Sequence, residues 1–169
     1  MNMKKSIFIL LIFLSMTRLI SAQTAENSLG LRFGAAYGLG TEISYQRGLN
    51  SINRLEVDLG FNSYYEYANN FRYDYNSWAI SGLYHWVWVL DKNINWYAGP
   101  GGKLGSYSSN LVYDANYKNG LFLSAAGDIG IEYTFPERVQ VSLDARPELG
   151  LFNHGSGINI GLSVRYQFQ

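Results

Sequence analysis

Three residues near the end of the chain could form a hydrolytic site. His154 and Ser156 are separated by one residue, and Glu148 precedes them in the chain. A serine hydroxyl becomes a nucleophile when a neighbouring imidazole removes its proton and a carboxylate orients the imidazole. No acidic residue follows Ser156, so Glu148 would have to act from an adjacent strand. The sequence favours the simpler alternative, a Gly, Ser and His tip that connects two strands.

Metal and cofactor chemistry has little support in the sequence. The chain has 2 His and no Cys, so a metal site would need carboxylate ligands, and no ligand spacing points to one. We expect no metal and no cofactor. The absence of Cys also excludes disulfides and a catalytic thiol. His85 could act as a general base, but its polar neighbours favour a hydrogen-bonded filler.

Charged residues recur at alternate positions, as if they faced a common interior. Asp144, Arg146 and Glu148 share one face of a predicted strand. A substrate-binding or proton-relay role is conceivable for them, but we favour an internal salt-bridge network that replaces a hydrophobic core. The predicted interior network consists of Arg32, Glu42, Glu56, Asp58, Lys103, Asp128, Glu132, Asp144, Arg146, Glu148 and Arg165. Seven acidic and four basic side chains predict an interior excess of acid.

The segments that must position these groups have a two-residue period. Residues 55–61 alternate between large apolar side chains and small or acidic ones. A strand produces this period because successive side chains point to opposite faces. Eight such runs follow one another between Leu29 and Phe168. Each has roughly the nine to eleven residues with which a tilted strand crosses a bilayer.

Two architectures could use eight such strands. A soluble sandwich or a lipocalin-like carrier places apolar residues inside. Here the apolar face is bulky and includes most of the 4 Trp, which is too much for the interior of an eight-stranded barrel. The sequence therefore predicts an all-β, eight-stranded antiparallel up-and-down transmembrane β-barrel with its apolar face outward. The directions of Leu55, Val57 and Leu59 distinguish the two: outward indicates a membrane barrel and inward a carrier.

Connection lengths agree with this prediction. Short turns are expected at 50–53, 91–93 and 136–138, and long loops at 63–77 and 106–120. Membrane barrels have short periplasmic turns and longer external loops. The long loops are rich in Tyr, Asn and Ser, a mixture suited to recognition of an extracellular partner, although Tyr also packs at lipid headgroups. Pro100, among glycines, predicts a local bend or bulge.

Aromatic residues occur where a membrane barrel would meet the two lipid interfaces. Trp78 is expected near the external end. The aromatic residues expected near the periplasmic end are Trp86, Trp88, Trp96, Tyr133, Phe135, Tyr166 and Phe168.

The first 22 residues have the layout of a secretory signal peptide. Lys4 and Lys5 precede an apolar run at 7–14, and small residues lead to a predicted cleavage after Ala22. An uncleaved anchor is the alternative, but the run is short for a membrane span. Cleavage would leave 23–169 as the barrel domain, with 10 of the 13 basic residues against 13 acidic ones. This balance gives no reason to expect a nucleic-acid partner.

Taken together, these features resemble the small eight-stranded outer-membrane barrels of Gram-negative bacteria, the OmpA/OmpX-like type. The resemblance covers 23–169, and its most specific element is the final segment LSVRYQFQ at 162–169. That segment is similar to the strand signal read by the barrel assembly machinery, although Gln169 stands where Phe is commonest. The resemblance implies an outer-membrane location, contact with outer-membrane lipids and a non-enzymatic structural or surface-interaction role.

A second resemblance keeps an enzymatic alternative open. His154 and Ser156 match the spacing of the His-x-Ser motif near the last strand of outer-membrane lipid A deacylases. Gly157 stands where that family has Asn. This resemblance implies a lipid A hydrolase as the first alternative function, and a soluble lipocalin-like carrier is the second.

Overall fold

The computed structural model describes residues 27–36, 40–68, 71–109, 120–153 and 155–168. The predicted signal segment 1–22 lies outside the described residues. The strands are β1 Asn27–Ala36, β2 Thr41–Gly48, β3 Asn53–Ala68, β4 Phe71–Asp91, β5 Ile94–Ser109, β6 Gly120–Thr134, β7 Val139–Phe152 and β8 Gly157–Phe168. Within the described part of the chain, no helix has the length and hydropathy of a membrane span.

The eight strands form one closed antiparallel barrel. Each strand pairs with the next in the chain, and β8 pairs with β1 from Asn27↔Phe168 to Ala36↔Asn159. The predicted all-β, up-and-down, eight-stranded architecture is confirmed. Closure gives every strand two neighbours and leaves no sheet edge along the barrel wall.

The two ends of the barrel differ in their connections. At one end, which we call the turn end, tight turns join β2 to β3, β4 to β5 and β6 to β7. Leu49 donates its N–H to the Asn53 carbonyl at 2.9 Å, and Phe135 donates to the Val139 carbonyl at 2.8 Å. The opposite end, the hairpin end, carries the connection between β3 and β4. The three short turns predicted at 50–53, 91–93 and 136–138 therefore lie at one end of the barrel.

The connection between β3 and β4 is not the long loop expected at 63–77. The strands continue as a ladder to the pair Ala68↔Phe71. Tyr-rich segments have high β propensity, so an established ladder extends through them. The second expected loop, 106–120, is likewise shorter, since β5 continues to Ser109 and β6 begins at Gly120.

Pro100 does not introduce the bulge that the sequence predicts. On one side of β5, Pro100 pairs with Gly127 of β6 without a change of register. On the other side, the pairing with β4 stops at Leu83↔Gly101 and resumes at Trp86↔Ala98 in the same register. Proline removes a hydrogen-bond donor from the ladder, but no extra residue is inserted. The register shifts instead lie between Val89 and Asp91 and between Leu123 and Ser124.

The barrel carries its apolar side chains on the outside. Leu55 and Val57 are 41% and 40% exposed, and Leu59 on the same face is partly exposed. Among the described residues, 22 polar or charged residues are buried but only 5 hydrophobic ones. A lipocalin-like carrier needs the reverse distribution, so the structure does not support that alternative.

Candidate functional site

Arg146 of β7 stands at the centre of the charged interior. Its side chain is 3% exposed. Nη1 lies 2.5 Å from Asp58 of β3, and Nε lies 3.2 Å from Asp128 of β6. Nη2 pairs with Glu56 of β3. One planar guanidinium thus binds carboxylates from two other strands, which its forked set of five N–H donors allows and a lysine ammonium would not.

Two further arginines extend the network around the barrel wall. Arg32 of β1 donates from Nε and Nη2 to Asp144 of β7, and from Nη1 to Glu42 of β2 at 3.0 Å. Arg165 of β8 lies 3.0 Å from Glu56. Since Glu56 pairs with both Arg146 and Arg165, this carboxylate connects the two arginines.

Arg54 also belongs to the interior, and the sequence prediction omitted it. Its Nη1 lies 2.6 Å from Glu132 of β6, and its guanidinium carbon lies 4.5 Å from the centre of the Tyr97 ring. Arg54 occupies the same face of β3 as Glu56 and Asp58. That shared alternation was the signal in the sequence that could have identified it.

His85 is a fully buried link between charged groups. Its Nδ1 accepts a hydrogen bond from Arg54 Nε at 3.3 Å, and its Nε2 lies 3.0 Å from Asp128 Oδ2. A neutral ring with its proton on Nε2 satisfies both contacts, because Nδ1 must accept and the carboxylate can only accept. This geometry supports the interpretation of His85 as a hydrogen-bonded filler.

The interior contains fewer uncompensated acids than the sequence prediction implied. With Arg54 included, the buried side chains comprise five basic and seven acidic groups among the described residues. The acid excess is two rather than three. No group of three or more His, Cys, Asp or Glu side chains in the described ranges could hold a metal ion.

The structure places the proposed hydrolytic residues in different surroundings. Glu148 is buried, and Lys103 Nζ lies 3.1 Å from its carboxylate. Ser156 is exposed, and its hydroxyl accepts a hydrogen bond from the Gly150 N–H at 3.3 Å. His154 lies outside the described residues. A buried carboxylate that is already paired with a lysine is poorly suited to orient the histidine of a hydrolytic site.

The aromatic residues expected at the interfaces lie on the outer surface of the barrel. Trp78 is 40% exposed toward the hairpin end, and Trp86 is 41% exposed toward the turn end. The rings of Trp88 and Trp96 stack with their centres 4.3 Å apart, so both are half-buried. The other exposed aromatics near the turn end are Tyr133, Phe135, Tyr166 and Phe168.

Comparisons with known proteins identify the fold. No family model matches the sequence, and no curated protein does either. The barrel domain of Pseudomonas aeruginosa OprF superposes with a TM-score of 0.63 at 15% identity, covering 86% of this chain and 100% of that one. Ail of Yersinia pestis superposes with a TM-score of 0.56 at 12% identity, covering 84% of this chain and 96% of that one.

Neisserial surface protein A gives a TM-score of 0.55 at 17% identity, with 84% of this chain and 94% of that one covered. All three are small eight-stranded barrels. At these identities the likeness establishes architecture and does not extend to partners or activity. The chain therefore has the fold of the small eight-stranded outer-membrane β-barrels of Gram-negative bacteria.

Proposed function

We propose that this chain is an integral outer-membrane barrel with a plugged interior and a structural or surface-interaction role, and that it is not an enzyme. The observation that carries the proposal is the inverted distribution of its side chains. Large apolar groups cover the outside, while ion pairs fill the inside. A closed barrel satisfies its backbone hydrogen bonds internally, which hydrocarbon surroundings require. The three structural neighbours support the same location.

The two termini support a route to that membrane. Removal of 1–22 as a signal peptide would export a barrel domain of 23–169. At the other end, alternate residues of β8, from Leu162 to Phe168, face outward. This is the arrangement in which the final strand would present its aromatic residues to the barrel assembly machinery. In the orientation that we propose, the turn end faces the periplasm and the hairpin end faces the cell exterior.

A surface role follows from strand length. Strands β3 and β4 have 16 and 21 residues, whereas a tilted strand crosses the bilayer in roughly nine to eleven. The surplus residues continue past the pair Phe61↔Trp78 toward the hairpin end. The described strand residues of the segment 63–77 would therefore stand clear of the membrane, where an extracellular partner can reach them. We propose the predicted loop at 106–120 as the second contact segment.

Electrophoresis tests the proposed location. The purified chain should need detergent to remain dispersed, and unboiled samples should migrate differently from boiled ones, because a closed barrel resists unfolding by detergent. The measurement is a pair of gel lanes from one preparation, with a soluble protein of similar mass as the control. A chain that stays monodisperse in plain buffer and shows one mobility would contradict membrane embedding.

Mass spectrometry of lipid A tests the enzymatic alternative. We expect the acyl pattern of lipid A to be the same in cells with and without the protein, because Glu148 is already paired with Lys103. The His154→Ala and Ser156→Ala variants should fold normally and should leave the same pattern. A reproducible loss of one acyl chain with the wild-type protein, abolished by either variant, would establish a hydrolase, since a serine nucleophile without its base loses orders of magnitude in rate.

A further inference from the structure

A groove of about 370 Å³ lies near the hairpin end, where β3, β4 and β5 run side by side. Its volume is within the range of small-molecule sites, about 300–1,000 Å³. Nine residues line it. The alternation of burial places six of them on the outer face of their strands and the other three, Asn62, Ser77 and Tyr107, on the inner face. These six are Phe61, Ser63, Asn76, Trp78, Ser106 and Ser108.

The strand register arranges the six side chains in two rows. Trp78 pairs with Phe61 on one side and Ser106 on the other, which makes a largely aromatic row. Two residues further from the turn end, Asn76 pairs with Ser63 and Ser108 in a polar row. Neighbouring strands lie about 4.8 Å apart, so each row is a short flat strip rather than a scattered set.

Both rows are open to a ligand. Phe61 is 63% exposed and Trp78 is 40% exposed. Ser63 donates its hydroxyl hydrogen to Asn76 Oδ1 at 2.8 Å, which orients the Asn76 amide and leaves its Nδ2 hydrogens directed away from Ser63. The serine hydroxyls of the groove can both donate and accept hydrogen bonds. An apolar strip therefore lies beside a strip of neutral donors and acceptors.

The chemistry of these rows selects a class of ligand. None of the described residues that line the groove is charged, so this part of the lining has no lysine or arginine of the kind that binds phosphate or carboxylate strongly. A sugar ring has an apolar face of C–H groups and an edge of hydroxyl groups. The C–H face matches the Phe61 and Trp78 rings, and the hydroxyl edge matches Asn76 and the serines.

The position of the groove indicates where such a ring would come from. Toward the turn end, the outward residues next to it are apolar, with Ile80 42% and Leu104 45% exposed. The groove thus lies where the apolar surface gives way to polar side chains, the level at which Trp residues meet lipid headgroups. We propose that the groove binds a neutral sugar ring, carried by a glycolipid headgroup or present as a free saccharide. The inference rests on the proposed membrane embedding for the glycolipid source.

The test compares two sources of one sugar. In the first arm, the protein is placed in nanodiscs of phosphatidylcholine with monoglucosyl diacylglycerol, and native mass spectrometry measures which lipid it retains. In the second arm, methyl β-glucoside is titrated into the detergent-solubilised protein and followed by calorimetry. The wild-type protein should retain the glucolipid over phosphatidylcholine. Trp78→Ala and Asn76→Ala should each weaken glucose binding about 3- to 10-fold, the effect of losing one favourable contact.

Trp86→Ala is the matched control. Trp86 lies on the same strand, faces outward and is 41% exposed, against 40% for Trp78, but it lies toward the turn end. Its removal should leave glucose binding unchanged. If Trp78→Ala weakens sugar binding only in nanodiscs, the groove is a site for a lipid headgroup. If the variant also weakens binding in detergent, the groove binds free saccharide as well. Equal binding by the wild type and Trp78→Ala in both arms, or no binding in either, overturns the proposal. The detergent arm does not depend on membrane embedding, which the gel experiment tests separately.

Discussion

Replacing Arg146 with alanine will destabilise the folded barrel by about 3–5 kcal/mol, the usual cost of removing one partner from a buried ion pair. The variant leaves the carboxylates of Glu56, Asp58 and Asp128 without the guanidinium that joins them. The cost comes mainly from the buried negative charge that loses its compensation at Asp58. Glu56 keeps its pair with Arg165, and Asp128 keeps its contact with His85. The free energy of unfolding, measured by urea titration in detergent with tryptophan fluorescence, gives the size of the effect.

Two further variants make this result interpretable. Lys92→Ala removes a positive charge from an exposed turn and should change the free energy of unfolding by less than about 0.5 kcal/mol. Arg146→Lys keeps the charge but loses the forked geometry, so it should fall between the wild type and the alanine variant. If Arg146→Ala were no more damaging than Lys92→Ala, the interior network would not stabilise the barrel.

Placing arginine at Val57 will cost about 2–4 kcal/mol if that position lies at the bilayer midplane. Val57 faces outward near the middle of the part of β3 that we propose crosses the membrane, between Tyr45 of β2 and Gly82 of β4. A guanidinium there must leave water for hydrocarbon or distort the bilayer to reach the headgroups. The change in the free energy of unfolding is measured by titrating guanidinium chloride against protein that folds reversibly into phosphatidylcholine vesicles.

The control for Val57→Arg is Ser51→Arg, which places the same side chain in an exposed turn. We expect that variant to be nearly neutral, since its charge stays in water. Arginine at Phe61, on the same face of β3 but further from the turn end, should cost less than at Val57, because the penalty falls toward the interface. Equal tolerance at Val57 and Ser51 would mean that the apolar face does not meet lipid.

Alternation of side chains was sufficient to predict the barrel and its inside and outside. A period of two is a local property, so residues 55–61 indicate their own faces without any knowledge of the rest of the chain. Ladder lengths were harder to predict. The segment 63–77 has turn-forming Asn and Asp beside β-favouring Tyr, and only pairing across the hairpin decides between loop and strand.

The partners inside the barrel could not be predicted from alternation. Arg146 and Glu56 are 90 positions apart in the chain, and their contact depends on how the closed sheet tilts and staggers its strands. Alternation predicted that both side chains lie in the interior, but it did not predict how far along the barrel axis each one lies. Arg54 was missed although its position on β3 was informative, because the segment 50–53 before it reads as a turn.

The ion pairs of the interior have a consequence for how the barrel is made. Arg32 of β1 binds Asp144 of β7, at a sequence separation of 112, and Arg146 of β7 binds Asp58 of β3, at a separation of 88. Contacts this distant in the chain form late, because long segments must be ordered before they can be made. A half-assembled, open sheet would expose these carboxylates and guanidinium groups to hydrocarbon without partners. For the membrane-embedded barrel that we propose, insertion and closure must therefore be coupled, so that β8 meets β1 before the charged face enters the membrane core.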